Sequence, residues 1–374
     1  MKLSTRSWFA ISILFSLTVI IIVFVTTFNE QTIRYILTFN VVFLFLAISF
    51  RLLALVFWGM RIQLMSRSLG YRVPLPHCVN MVLAGLLVGT ITPGSAGGEP
   101  LRAHELYRSG VKLGDAAAVV IVERILDGVV LTLMGVILMA VITEYVLATF
   151  GPTLLFLIVI AWIVMAMFLI VPILTIRHPE WTKRQLRKLV NWLVPKLSFW
   201  RSAKRLGEVA DKEIDNLFIS GRRFIGTARM GLLQGGIMTA LFWITEFAVA
   251  SLVLMGLGFG PFLVQSFFFQ IVIAIIGMLP LTPGSSGVTE ISTSSLYALI
   301  IPTASIGVFV LLWRFVTFYL NILLGFVASL AIFRREIESR SREKETGEEE
   351  TAGGGAVGEE AVQEETVEEE TGGK

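Results

Sequence analysis

The chain has 374 residues, of which 55% are hydrophobic and only 16% are charged, and its net charge is +3. Water-soluble domains usually contain about 45–50% apolar residues, so this composition excludes an ordinary soluble domain. Several uninterrupted apolar stretches exceed the roughly 18 residues that a membrane-crossing helix needs, and they lack the alternation of a transmembrane β-barrel. We therefore predict an all-α polytopic protein of the cell membrane.

The apolar runs predict six full membrane spans, at about 8–28, 37–60, 116–143, 153–176, 229–256 and 303–333. The first run follows Lys2 and Arg6, as in a signal peptide, but it is longer than the ~7–15-residue core of such a peptide. We therefore expect a retained anchor. Two further apolar stretches, at 78–92 and 262–282, each lead into a Pro-Gly loop.

The distribution of Lys and Arg orients these spans, because cytoplasmic connections are enriched in both residues. The connection 177–228 is strongly basic, the 61–77 loop contains Arg61 and two further arginines, and arginines follow the last span. The connections 144–152 and 257–260 contain neither Lys nor Arg. We therefore predict that the N-terminus, the C-terminus and both basic connections are cytoplasmic.

Two polar parts of the chain lie outside the predicted spans. In 177–228, Trp and Leu interleave with basic residues, which is typical of helices in the lipid headgroup layer and not of a nucleic-acid site. Residues 336–374 are rich in Glu among Gly, Thr and Val, which predicts a disordered acidic tail. Residues 1–335 would then form the transmembrane domain, as a monomer or a homodimer.

The most informative feature is a duplicated segment. Residues 92–99 (TPGSAGGE) recur 190 positions later as 282–290 (TPGSSGVTE), and Arg124 matches Arg314 at the same offset. An internal duplication is typical of transporters that bind their substrate between the two copies. The repeat units would extend over about 78–143 and 262–333.

The charge assignment makes this repeat an inverted one. Segment 78–115 would begin and end on the cytoplasmic side, whereas segment 261–302 would begin and end on the other side. Each is therefore predicted to form a re-entrant helical hairpin. Because non-helical backbone at membrane depth is tolerated only inside protein or along a cavity, both Pro-Gly loops should lie in the protein interior.

The loop residues suit a binding site. Proline ends a helix, glycine permits close approach and positive φ, and free amides at a helix start attract anions. The alternative is that both loops are merely tight turns. The candidate residues in the two loops are Thr92, Pro93, Gly94, Gly97, Gly98, Pro283, Gly284 and Gly287.

Ionisable residues within the apolar runs are the second group of candidates. Glu99 is expected to cap the helix 100–109 and to pair with Arg102, and Glu290 takes its place in the second copy. Such groups usually mark a pathway, and arginine suits phosphate recognition; structural ion pairing, or snorkelling to the nearby cytoplasmic end, is the alternative. The remaining candidates are Glu123, Arg124, Asp127 and Arg314, with Arg124 and Asp127 expected to pair, and Glu246 is a weaker one.

These motifs resemble a known family. The run from Thr92 to Arg102, Glu123-Arg124 with Asp127, and Pro283-Gly284-x-x-Gly287 with Glu290 are similar to the lysylphosphatidylglycerol synthase transmembrane region, a flippase-like family (uncharacterised family 0104). The resemblance covers about residues 8–335. It implies a helical bundle with paired re-entrant segments and, in the best-understood members, movement of an aminoacylated phospholipid between leaflets.

Those members carry a soluble aminoacyl-transfer domain after the membrane part, where this chain has only its acidic tail, so we expect no synthase activity. A separate lipid-modifying or glycosyltransferase enzyme is then an implied partner, beside membrane lipids. One cysteine and three scattered histidines fit no metal site, and we expect neither a cofactor nor enzymatic activity.

The sequence therefore predicts a lipid translocase that moves a polar or phosphate-bearing headgroup through a central cavity. One alternative is a secondary transporter of a soluble anion. Others are a membrane-embedded component that handles polyprenyl-phosphate-linked sugars and a scaffold that uses the acidic tail.

Overall fold

The computed structural model describes residues 17–18, 21–22, 24–26, 28–92, 97–196, 203–278, 282 and 284–335. These residues form helices and turns without a β-strand, so the described part of the chain is all-helical, as predicted. The predicted first span at 8–28 lies mostly outside the described residues, and the acidic tail at 336–374 lies entirely outside them.

The helices follow one another as α1 (Glu30–Leu37), α2 (Val41–Ser68), α3 (Leu75–Gly89), α4 (Gly98–Arg108), α5 (Leu113–Arg177), α6 (Pro179–Lys196), α7 (Ala203–Ile225), α8 (Arg229–Gly256), α9 (Leu263–Met278), α10 (Val288–Tyr297) and α11 (Thr303–Arg335). Within the described residues, four segments are long and apolar enough to cross a membrane: Val41–Ser68, Leu113–Val141, Arg229–Gly256 and Thr303–Arg335. The chain is thus a membrane protein with several apolar helices, whereas the predicted number of full spans and the inverted topology stay predictions.

Helix α2 is longer than predicted. Its first turn is capped by Asn40, whose side chain accepts from the Val42 amide at 3.0 Å. It ends at Ser68, before Gly70, whose φ of +99° suits the left-handed turn that closes a helix. Arg61 was predicted to lie in a cytoplasmic loop, which is wrong: it lies on α2 with no exposed surface.

Helix α5 also differs from the prediction. It contains 65 residues, about 97 Å at 1.5 Å per residue, and includes both predicted spans at 116–143 and 153–176. The connection 144–152 was predicted to be a loop, but it is helical. Glu144, Leu147 and Ala148 favour a helix, and the chain stays helical through Gly151 and Pro152, so the lack of Lys and Arg alone did not establish a break.

Helix α3 packs against α4, and α9 packs against α10, so each repeat unit contains a helical hairpin, whereas the re-entrant course of these hairpins stays a prediction. Helix α3 has 15 residues and α9 has 16, fewer than the roughly 20 that a full crossing needs. The loops of the two hairpins touch, because the Gly284 amide donates to the Thr92 carbonyl oxygen at 3.1 Å. The two copies of the repeated segment therefore meet inside the molecule.

The apolar core consists of two clusters that share α2 and α8. One surrounds the first hairpin and includes Trp58, Met81 and Phe242, while the other surrounds the second hairpin and includes Tyr297 and Phe309. Helices α2 and α8 pack closely along their length. Together they form the common wall against which each hairpin lies.

The first hairpin depends on backbone contact between its helices. A Cβ atom on Gly98 would lie 2.7 Å from the carbonyl oxygen of Gly85. We expect Gly98→Ala to destabilise the protein by roughly 1–3 kcal/mol, as overpacking does, and to lower the melting temperature in detergent. The matched control is Gly236→Ala, whose Cβ would lie 3.8 Å from Leu126. Equal melting temperatures for the two variants would contradict close packing at Gly98.

Candidate functional site

A cavity of about 290 Å³ lies between the two hairpins and the common wall. The first copy contributes Gly98, Glu99 and Arg102, and the second contributes Gly284 and Ser285, among others. The charged residues that line it are Arg51, Glu99, Arg102, Arg124, Glu246 and Arg314. A polar cavity therefore lies where both copies of the repeat come together.

A cluster of buried ion pairs lies behind the part of the cavity that the first hairpin forms. Arg61 on α2 places Nη2 2.8 Å from Glu123 Oε1 and Nη1 2.6 Å from Asp127 Oδ1, and all three side chains are at most 3% exposed. The indole of Trp58 donates to Glu123 Oε1 at 2.7 Å, and that of Trp243 donates to Asp127 Oδ1 at 3.1 Å. Burial with Arg61, and not snorkelling, accommodates these two carboxylates.

A second layer of ion pairs lies nearer the cavity. Arg124 places Nη2 2.8 Å from Glu99 Oε1 and Nη1 3.2 Å from Asp127 Oδ2. The Arg124 side chain is 38% exposed and that of Glu99 is 28% exposed, so this pair faces an open region. The expected pair of Arg124 and Asp127 is therefore present. Glu99 makes no cap hydrogen bond to α4, which begins at Gly98, so the predicted capping role is wrong.

Arg102 is the least satisfied cation at the site. It is 2% exposed, it lines the cavity, and neither Nε nor Nη2 has a hydrogen-bond partner. Its nearest carboxylate oxygens are Glu123 Oε2 at 3.6 Å and Glu99 Oε1 at 3.9 Å. The Trp58 ring centroid lies 5.1 Å from the guanidinium carbon. Because buried polar groups are normally hydrogen-bonded, these N–H groups lack the acceptor that such groups usually have.

The second copy also contains an arginine–glutamate ion pair, and this pair is buried. Arg314 places Nε and Nη2 each 2.8 Å from Glu290 Oε1. The other carboxylate oxygen accepts from the Gly287 amide at 2.6 Å, so Glu290 caps α10. The two side chains are 6% and 0% exposed. A π-helical turn, Phe315–Tyr319, follows Arg314 directly, and the Phe318 ring centroid lies 4.6 Å from its guanidinium carbon.

The pairs Glu99–Arg124 and Glu290–Arg314 hold equivalent positions in the two copies. Each carboxylate lies in the first turn of the helix after the loop, and each arginine lies on the next long helix. They differ in exposure, since the first pair is partly open and the second is closed. The two copies therefore contain the same kind of ion pair, but only the pair in the first copy is partly exposed.

A third pair, which the sequence did not predict, lies on the common wall. Arg51 forms an ion pair with Glu246, and its Nε donates to Asn321 Oδ1 at 3.1 Å. Arg51 lies inside the predicted span 37–60, so the rule that singled out Arg124 would also have found it. Arg61 was missed because the span was ended one residue too early.

The structure brings together most of the predicted residues that it describes. Six line the cavity, namely Gly98, Glu99, Arg102, Arg124, Gly284 and Arg314. Glu123, Asp127 and Glu290 lie behind them as ion-pair partners. The Gly97 amide donates to Thr92 Oγ1 at 3.0 Å, which shapes the first loop, and Gly287 has a φ of +80° in the second. Outside the described residues lie Pro93, Gly94 and Pro283.

Comparison with known proteins identifies the family. The family model described as the lysylphosphatidylglycerol synthase TM region matches residues 9–325, which include both hairpins and every charged residue that lines the cavity. The chain belongs to this family. It is 31% identical over 319 residues to a UPF0104 membrane protein of Archaeoglobus fulgidus, covering 85% of this chain and 95% of the relative.

A second relative in this family is a UPF0104 membrane protein of Methanothermobacter thermautotrophicus. It is 26% identical over 314 residues, which cover 81% of this chain and 89% of the relative. The family resemblance drawn from the loop and charge motifs is thereby confirmed.

Arg61 should be essential for folding. Arg61→Met removes the cation that neutralises Glu123 and Asp127, and breaking a buried pair in this way costs about 3–5 kcal/mol. We expect a large loss of folded yield, measured by fluorescence-detected gel filtration in detergent. Arg67→Met, at an exposed position on the same helix, is the control and should behave as the wild type. Similar yields for both variants would contradict a supporting role for Arg61.

The two equivalent carboxylates should differ in their contribution to stability. Glu290→Gln disrupts a fully buried pair, so we expect a loss of several kcal/mol, as for other buried pairs. Glu99→Gln affects a partly exposed pair, for which about 1 kcal/mol or less is typical. Thermal melts of the two variants in the same detergent test this order. A larger loss for Glu99→Gln would contradict the difference in burial.

Proposed function

We propose that this protein moves a lipid with a phosphate-bearing headgroup between the two leaflets of the membrane, through the cavity between its hairpins. One observation carries the proposal. Arg102 is buried, lines the cavity and has guanidinium N–H groups without hydrogen-bond partners. A phosphate oxygen is the kind of acceptor that such a group binds best, because the charged hydrogen bond is short and strong.

The charge at the cavity surface supports an anionic ligand. Four arginines and two glutamates line it, so the positive side chains are in excess where a ligand would lie. Arginine is also favoured over lysine where the planar oxygen pattern of a phosphate is recognised. The exposed edges of Glu99 and Glu246 remain available to hydroxyl or amine groups elsewhere on the headgroup.

The size of the cavity supports a headgroup and not a whole lipid. Its volume of about 290 Å³ lies just below the roughly 300–1,000 Å³ of ordinary ligand sites. Hydrocarbon chains would then remain among the apolar surfaces outside it. The chain belongs to a membrane family that is named for a lipid-modifying synthase, and this agrees with a lipid whose headgroup lies in the cavity and whose chains lie outside it.

The two equivalent ion pairs suggest how a headgroup could pass. We infer that the hairpins are re-entrant, that they enter from opposite faces, and that both chain termini are cytoplasmic. A phosphate that replaces Glu99 at Arg124 exchanges one anionic partner for another, and the same exchange at Arg314 displaces Glu290. The guanidinium stays paired throughout, and the released carboxylate takes up a proton or pairs with a cationic group of the headgroup, because an unpaired buried charge is costly.

Transport suits this site better than catalysis. Each carboxylate at or behind the cavity is ion-paired with an arginine, including Glu246 with Arg51. Such pairing holds the groups as fixed charges for binding. A secondary transporter of a soluble anion remains the second candidate, because the small polar cavity would also accommodate a free phosphate.

Replacement of Arg102 tests the proposal. Arg102→Met should reduce lipid movement by about 10- to 100-fold, since a hydrogen bond to a charged group contributes about 1.5–3 kcal/mol. The assay follows chain-labelled fluorescent phosphatidylglycerol in proteoliposomes by dithionite quenching. Arg108→Met, at an exposed position in the last turn of the same helix, is the control and should leave the rate unchanged.

Unchanged lipid movement in a folded Arg102→Met protein would contradict the proposal. Uptake of radioactive phosphate into the same vesicles provides the second measurement. Uptake that depends on Arg102, without lipid movement in the wild type, would favour the soluble-anion transporter instead.

A further inference from the structure

A second cavity lies beside the first and has the opposite character. Its volume is about 490 Å³, and it is enclosed by the first turns of α5 together with α6, α7 and α8. Apart from Thr182 and Arg222, its lining is apolar or glycine, and it includes Ile121, Gly221 and Ile225. No part of the proposed headgroup site includes these residues.

This apolar cavity opens to the outside of the helix bundle. Ile121 is 45% exposed and Ile225 is 54% exposed, although both line the cavity. Gly221 faces open space, because a Cβ atom built on it would meet no atom within 4 Å. The apolar side chains that line an empty cavity lack dispersion contacts on one side. An apolar ligand that enters the cavity would supply these contacts.

An exposed cation lies at the rim of the cavity. Arg222 is exposed and lines the edge, and it forms no ion pair with any other described residue. The neighbouring basic residues Lys183 and Arg187 are instead held by Asp215, at 2.9 Å and 3.2 Å, and the hydrogen bond from Lys183 lowers the pKa of Asp215. Arg222 is therefore available to an anion at the headgroup level of a membrane.

One turn of α5 contributes residues to both cavities. Ile121 and Arg124 are three residues apart and so are neighbours on one face of the helix. Ile121 lines the apolar cavity and Arg124 lines the polar one, and both are partly exposed. An amphipathic molecule would find an apolar surface and a cation within a single helical turn.

We propose that the apolar cavity binds one hydrocarbon chain of an anionic membrane phospholipid, with the lipid phosphate at Arg222. The choice of a membrane lipid as the occupant rests on the proposed function. The hydrocarbon chain of a lipid held in this way lies against Ile121, one helical turn from Arg124 and the polar cavity. The site would therefore supply lipid to the translocation path.

Photolabelling of the full-length protein tests the site. The protein is placed in vesicles of phosphatidylcholine with phosphatidylglycerol that carries a diazirine in one chain, and labelled peptides are mapped by mass spectrometry. Gly221→Phe fills the cavity from a position where the new Cβ meets nothing. Labelling of 118–125 and 217–225 should fall at least fivefold. Ile219→Phe, on the 59% exposed outer face of the same helix, should leave it unchanged.

Two results would overturn the proposal. One is labelling at 118–125 and 217–225 that persists in a folded Gly221→Phe protein. The other is wild-type labelling there no stronger than at the exposed apolar surface of α2 around Val42 and Phe45, which are 62% and 66% exposed. An equal melting temperature for Gly221→Phe and Ile219→Phe establishes that both variants are folded, and a Leu in place of Phe provides a smaller filler if it is needed.

The role of Arg222 is tested by the choice of lipid. When the diazirine is carried by phosphatidylglycerol and not by phosphatidylcholine, the wild type should label about threefold more strongly, and Arg222→Gln should abolish the preference. A preference that survives in Arg222→Gln would overturn the phosphate contact.

The outcome is separable from that of the proposed function. Labelling that depends on Gly221, with lipid movement that ignores Arg102, would keep the lipid site and reject translocation. Movement that depends on Arg102, without specific labelling of the apolar cavity, would reject the lipid site and keep translocation.

Discussion

The buried guanidinium of Arg61 is the interaction on which the rest of the site depends. It lies between Glu123 and Asp127 of α5 and also contacts Thr239 of α8 at 3.2 Å, so one side chain of α2 joins three long helices. Without it, two carboxylates would face each other in an apolar interior, a situation that proteins do not sustain. With it, Glu123 keeps one oxygen directed toward Arg102, and the first hairpin is drawn against the cavity.

The arginines and carboxylates around the cavity are equal in number, but they are not equally represented at its surface. Five arginines, at 51, 61, 102, 124 and 314, pair or approach five carboxylates, at 99, 123, 127, 246 and 290. This balance limits the cost of placing charges at membrane depth. The arginines nevertheless dominate the surface of the cavity, whereas most of the carboxylates lie behind it. A neutral cluster can therefore present a positive surface to a ligand, which is what an anionic headgroup requires.

Under the proposed function, the polar and apolar cavities would divide an amphipathic ligand between them. The polar one is too small for hydrocarbon chains, and the apolar one offers a single cation at its rim. They share one turn of α5, where Ile121 and Arg124 are neighbours. Helices α6 and α7 of the long basic segment between α5 and α8 form walls of the apolar cavity.

The sequence by itself determined the helical class, the two short hairpins and the equivalence of Arg124 and Arg314, because hydropathy, proline and glycine act locally and the repeat is visible as a fixed offset. Only the tertiary structure decided which charges meet. Arg61 and Glu123, or Arg51 and Glu246, are brought together by the packing of α2 against α5 and α8, and no spacing rule reaches across such separations in the chain. The helical course of 144–152 and the extension of α2 to Ser68 escaped prediction for a related reason: charge patterns report the side of a membrane, whereas helix ends depend on capping residues and on the neighbours that a helix packs against.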